Sequence, residues 1–175
     1  MSQQQHNEWR EHADGIIEIV LTQGKVALID DRDLPKILPH KWCALHKGNC
    51  WYAVTSTLAA PHKWTHLRMH RIILDAPDNK CVDHINRDGL DNRRCNLRLA
   101  TNAQNIANQA ARPGMSSRYK GVHRVKRKCR LRRPWRAYCS TKKLGYFATE
   151  REAALAYNRA AKKKWGEFAL LNDVE

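Results

Sequence analysis

Residues 92–149 hold sixteen lysines and arginines and not one aspartate or glutamate. Whatever this segment folds into must present a basic face, because it has no acid of its own to neutralise it. The flanks differ. Residues 1–91 carry 11 basic and 12 acidic groups and residues 150–175 carry five of each, so the net charge of +15 comes entirely from the middle-to-late segment. Basic patches concentrate counter-ions such as nucleic-acid phosphates, and a surplus this localised predicts a polyanionic partner.

The 175 residues, 42% of them hydrophobic, suffice for one medium domain or two to three small ones. None of the six cysteines (Cys43, Cys50, Cys81, Cys95, Cys129, Cys139) forms a CxxC pair, so the spacing gives no support for a zinc knuckle. The polar start MSQQQHNEWREHADG does not read as a signal peptide, and no apolar run is long enough to span a membrane. Free thiols in a reducing cytoplasm are the expectation.

Turn residues divide the chain into short pieces. Residues 1–14 read as disordered. IIEIVLTQGKVALID gives two strands around Gln23-Gly24, and DDRDLPKIL gives a short helix or turn with Asp30, Asp31 or Asp33 as cap. KWCALHKGNCWYAVTSTL gives two further strands around Lys47-Gly48-Asn49, so residues 15–65 form a β-rich module with Trp42, Trp51 and Tyr52 as its core. A second unit spans residues 66–110. ARPGMSSR, residues 111–118, reads as a linker, and a third unit occupies residues 119–175. In that unit three short strands precede a helix opened by the capping box Thr149-Glu150-Arg151-Glu152 and stopped by Gly166. Ala153, Ala154, Tyr157, Ala160 and Ala161 make one small-residue stripe along it, suited to lying close on a thin sheet. The expected class is α+β, with the third unit a three-stranded antiparallel sheet packed on one helix.

The stretch from Val82 to Gln109, VDHINRDGLDNRRCNLRLATNAQNIANQ, carries the chemistry. Val82–Ile85 reads as a strand or strand end and Arg87–Asn92 as a long turn. Leu97 and Leu99 alternate as in a second strand, and Thr101-x-x-Gln104 caps a helix from Asn102. Such a hairpin packed on a helix can gather Asp83, His84 and Asn105. Carboxylate and amide oxygens are hard ligands suited to Mg²⁺ or Mn²⁺, and a histidine can take a proton from water near neutral pH. A metal can stabilise charge on a phosphate and its leaving oxygen. Neighbours on a regular strand point to opposite faces, so Asp83 and His84 can share a site only at a strand end or bend, or with the reacting atoms lying between their directions. Arg93, Arg94 and Arg98, beside such a site, are candidate phosphate contacts.

These residues resemble the zinc-free HNH homing-endonuclease family of phage and intron nucleases. The resemblance is carried by MHRIIL (Met69–Leu74), VDHINRDGLDNRRCNLRLAT (Val82–Thr101) and NAQN (Asn102–Asn105). It implies a ββα-metal unit in which His84 is the general base and Asp83 and Asn105 hold one divalent metal, Mg²⁺ or Mn²⁺, with no zinc expected. It also implies that Asn96 ties down the loop through backbone hydrogen bonds. For His70 in MHR the preferred reading is structural, with approach to the DNA or metal as the alternative.

The third unit resembles the APETALA2-type DNA-binding domain through SRYKGVHR, PWRAYCS, KLGYFATEREAALAYNRAA and GEFALLN, over roughly residues 117–172. That resemblance implies a sheet entering the DNA major groove, with Arg124, Trp135 and Arg136 as DNA contacts; core packing is the alternative for Trp135. Arg127, Lys128, Arg130, Arg132 and Arg133 fall in the insertion KRKCRLRRP, longer than the family turn, where phosphate contact is expected. Together the two resemblances imply a DNA endonuclease acting on double-stranded DNA, of phage or mobile-element type, in the cytoplasm of a bacterial host. The rival is a non-catalytic sequence-specific DNA-binding regulator, which has no need of the Asp83, His84 and Asn105 set.

Overall fold

The computed structural model describes residues 7–60, 63–111, 113–125 and 132–174. It is mixed α and β, built from small antiparallel sheets and four helices, and it divides into two compact units, Met1–Asn102 and Ala103–Glu175. Among the described residues no helix is long and apolar enough to cross a membrane.

In the first unit β1 (Trp9–His12), β2 (Ile16–Val20) and β3 (Val26–Asp30) form one antiparallel sheet. Alternation drives it: Ile17, Ile19, Ala27 and Ile29 are buried while their neighbours are only half-buried. Strand β1 falls within the stretch that the sequence leaves disordered. All four of its residues are exposed, so no apolar alternation announces it; pairing with β2 makes it a strand. The helix α1 (Leu34–Ile37) follows, without any side-chain cap. Of the three aspartates expected there, Asp33 is buried and takes an arginine from far along the chain instead.

A second sheet joins β4 (Cys43–Lys47), β5 (Cys50–Ala60) and β6 (Lys63–Arg68), and the helix α2 (Met69–Ile73) leaves its end. Trp42 is 1% exposed and its indole N–H donates to the Ile37 carbonyl at 2.9 Å, so it is core as expected. Trp51 packs against the same cluster, whereas Tyr52 faces two histidine rings instead. The last pair of strands, β7 (Cys81–His84) and β8 (Leu97–Ala100), buries Val82 and Leu97 in the shared core with Met69 and Ile73.

The helix α3 (Asn102–Asn108) begins with the last residue of the first unit and runs into the second. In the second unit Lys120 Nζ donates to the carbonyls of Ile106, Ala107 and Gln109, a cation at the negative end of that helix. The sheet order is β11 (Lys142–Phe147), β10 (Trp135–Cys139), β9 (Val122–Arg124), all antiparallel. It packs on α4 (Glu150–Trp165), which opens with a complete capping box between Thr149 and Glu152 and stops at Gly166. Ala153, Ala154, Tyr157 and Ala161 are buried against the sheet, where small side chains permit close approach. Gly121 is required there. Its φ is +74°, and a Cβ would collide with the Tyr157 ring and the Tyr138 carbonyl.

Candidate functional site

The connection between β7 and β8 is a closed network. The Asn96 amide donates to the Asp91 carbonyl at 2.8 Å, and its oxygen accepts the Asn86 N–H at 2.8 Å. Asp91 accepts from Asn86 Nδ2 at 2.8 Å and from both Arg93 Nε and an Arg93 terminal nitrogen at 2.7 Å. Those Arg93 hydrogen bonds hold the Asp91 carboxyl below its usual range. The loop is then fastened to the N-terminal module. Leu28 N–H donates to Leu90, Asn92 N–H donates to Leu28, and Arg94 binds both oxygens of Asp33 and the Ile73 carbonyl at 2.7–2.8 Å. Gly89 lets the loop lie on β5, since a Cβ would strike the Trp51 carbonyl and the Tyr52 ring. Strands β3 and β5 and the Asp33 carboxylate thus hold this loop in place.

Strand β7 ends at His84, the geometry under which Asp83 and His84 can serve one site. Both are buried, at 4% and 7% exposure. Burial lowers the His84 pKa, the Asn92 contact opposing it, so the ring is neutral and able to accept a proton at pH 7. The Asn92 amide donates to the Leu90 carbonyl at 3.0 Å, which turns its oxygen toward His84 Nε2 at 3.4 Å. An amide oxygen only accepts, so the ring proton belongs on Nε2 and the basic lone pair on Nδ1. His70 meets His84 edge to face at 4.9 Å between centroids, and Tyr52 stands 5.9 Å and 6.1 Å from the two rings. Burial first, then the electrostatic influence of His84, Arg68 and Arg71, push the His70 pKa down to about 2, and its Nδ1 is buried without a hydrogen-bond partner among the described residues.

Asp83 lies opposite Arg98 in the β7–β8 register, and its Oδ2 accepts from Arg98 Nε at 2.9 Å and a terminal nitrogen at 2.8 Å. A carboxylate this buried requires a cation beside it. Arg98 supplies that cation here, and the carboxylate itself is a hard oxygen donor of the kind Mg²⁺ and Mn²⁺ take. Among the described residues no group of three or more His, Cys, Asp or Glu side chains is placed to hold a metal ion. Asn105 is half-buried on α3, in the second unit.

Of the arginines expected to touch phosphate, Arg93 is paired with Asp91, Arg94 with Asp33 and Arg98 with Asp83. Arg94 is an internal anchor of the first unit. In the second unit cross-strand pairing sorts the remainder. Arg136 stands opposite His123 and Tyr146, on the face away from the buried pair Val122–Ala137. Trp135 is paired with Arg124, whose guanidinium lies 5.9 Å from its ring, and packs against the helix-side core. Sequence reading missed Tyr138, Tyr146 and Lys143 around Arg136, because only the register shows which side chains share a face. A cavity of about 440 Å³ is lined by Arg136, Arg124 and His123 together with Gly114–Ser116. Ser116 and Ser117, in the expected linker, bond to Arg124 N–H and Glu150 respectively. Arg132 and Arg133 are described and make no ion pair with an acid among the described residues; Arg127, Lys128 and Arg130 lie outside the described residues.

The fold and this histidine-carboxylate hairpin fit one class of protein, and comparison with known proteins agrees. The model of the HNH endonuclease family matches residues 75–107. An uncharacterised HNH endonuclease of Acanthamoeba polyphaga mimivirus is 30% identical over 141 residues, covering 77% of this chain and 72% of the relative. The chain belongs to the HNH endonuclease family. No solved structure matches it.

Proposed function

We propose that this protein is a divalent-metal-dependent endonuclease that hydrolyses double-stranded DNA, with His84 as its general base. The observation that carries the reading is the buried His84, its Nε2 3.4 Å from the Asn92 amide oxygen, at the strand end that also bears the buried Asp83. His84 Nδ1 takes a proton from water, and the resulting hydroxide attacks the phosphorus in line. Asn92 and the His70 ring keep the imidazole oriented, and Asn96 holds the loop that carries Asn92. Asp83 would hold Mg²⁺ or Mn²⁺, which would supply charge stabilisation at the phosphate and the departing 3′ oxygen. The products are a 5′-phosphate and a 3′-hydroxyl.

The second unit, in this reading an APETALA2-type domain, finds and holds the duplex. Arg124, Arg136, Arg132 and Arg133 contact DNA, together with Arg127, Lys128 and Arg130 of the basic insertion. Arginine can read a guanine edge bidentately, whereas contacts to phosphate set position and salt dependence. A virus or mobile element is the setting proposed. The test is incubation of purified protein with viral and host DNA in Mg²⁺, in Mn²⁺ and in EDTA, with the new ends analysed. Metal-dependent cuts bearing 5′-phosphates support the reading. Tight duplex binding with no cut in any DNA or metal points to the regulator instead.

A further inference from the structure

Three arginines flank the candidate site, and they are not equivalent. Arg93 and Arg94 each have an acid with no other assigned task, Asp91 and Asp33. Arg98 shares its acid with the metal: its partner is Asp83, the only carboxylate of the proposed ligand set. The two side chains are directly opposed in the β7–β8 register, with the carboxylate 4% and the guanidinium 13% exposed, so water screens them little. Arg98 Nε donates to Oδ2, and a terminal nitrogen of the guanidinium lies 2.8 Å from the same oxygen.

A guanidinium and a divalent ion cannot both sit on one buried carboxylate without strong like-charge repulsion. Metal entry therefore requires Arg98 to leave Asp83, and a cation leaving a buried site needs another anion. A DNA phosphate is the anion that this substrate brings, and the planar guanidinium fork suits phosphate as well as carboxylate. We infer that Arg98 is an exchangeable counter-ion of Asp83, which excludes metal while DNA is absent and passes to a backbone phosphate when the duplex binds. The inference rests on the reading of Asp83 as a metal ligand. Its consequence is positive coupling: DNA raises the affinity for metal, and metal raises the affinity for DNA by the same factor.

The test reads binding, not turnover. Mn²⁺ affinity of the full chain without DNA is measured from the paramagnetic resonance signal of free Mn²⁺, for wild type, Arg98→Gln, Arg98→Lys and the neutral pair Asp83→Asn/Arg98→Gln. Thermal unfolding confirms that each is folded. Arg98→Gln should bind Mn²⁺ about tenfold more tightly than wild type, within the range usual for coupled sites. Arg98→Lys keeps the competing charge and should stay near wild type, and the neutral pair should lose the site. In a His84→Ala background, which prevents cutting, Mn²⁺ should tighten duplex binding by fluorescence anisotropy, and adding Arg98→Gln should shrink that gain. Folded Arg98→Gln binding Mn²⁺ no more tightly than wild type, while wild type still cuts DNA with Mn²⁺, overturns the exchange and leaves the nuclease reading intact. No saturable Mn²⁺ binding by any form, together with no cutting, overturns both.

Discussion

His70 is the more deeply perturbed of the two neighbouring imidazoles, and its effect on stability has a definite sign. Its pKa falls from 6.5 to about 2 in the folded protein. The unfolded chain therefore binds a proton below pH 6.5 that the folded chain refuses, so stability is full above pH 6.5 and is lost as pH falls through it. The slope is about 1.4 kcal/mol per pH unit at most, so lowering the pH from 7.5 to 5 should remove roughly 2 kcal/mol through this residue. Urea unfolding of wild type and His70→Phe at both pH values checks it. The variant should show the smaller loss, and equal losses would show that His70 is protonated in the folded state.

At the scale of elements, the site loop is held by groups remote in sequence. Arg94 reaches Asp33 across 61 residues and Asp30 across 64. Removing its guanidinium leaves Asp33 buried and unpaired, so Arg94→Ala should cost about 3–5 kcal/mol in urea unfolding. A loss under 1 kcal/mol would mean that the loop stands without this anchor. The cap of α4 is a milder case. Thr149→Ala should cost about 1 kcal/mol and lower the melting temperature without abolishing folding.

The same contrast explains what could be read from the sequence. Strands β2 and β3, the order β7, loop, β8, α3, and the helix α4 with both its ends were legible, because local alternation and capping residues announce them. Strand β1 was not, since pairing alone orders four exposed residues. Asp83 and His84 were visible as chemistry. The partners that define their state were not: Arg98 by register, Asn92 by the loop's fold, and His70 and Tyr52 by packing of other elements.

For the whole molecule, the proposed function assigns duplex affinity to the basic second unit and the chemistry to the first. Arg124→Ala and Arg136→Ala should each weaken duplex binding. Each residue that contacts phosphate should also lower the slope of log affinity against log salt by about 0.9. Anisotropy titrations between low and moderate salt measure it, and an unchanged slope in both variants would move the phosphate contacts elsewhere.

The most direct test of the central claim separates binding from cutting at His84. Single-turnover cleavage and duplex affinity are measured side by side for wild type and His84→Ala in saturating Mg²⁺. If His84 is the base, cleavage should fall by a factor of about 10² or more, the usual contribution of a positioned general base, with duplex affinity unchanged. Cleavage by His84→Ala at the wild-type rate would contradict the account.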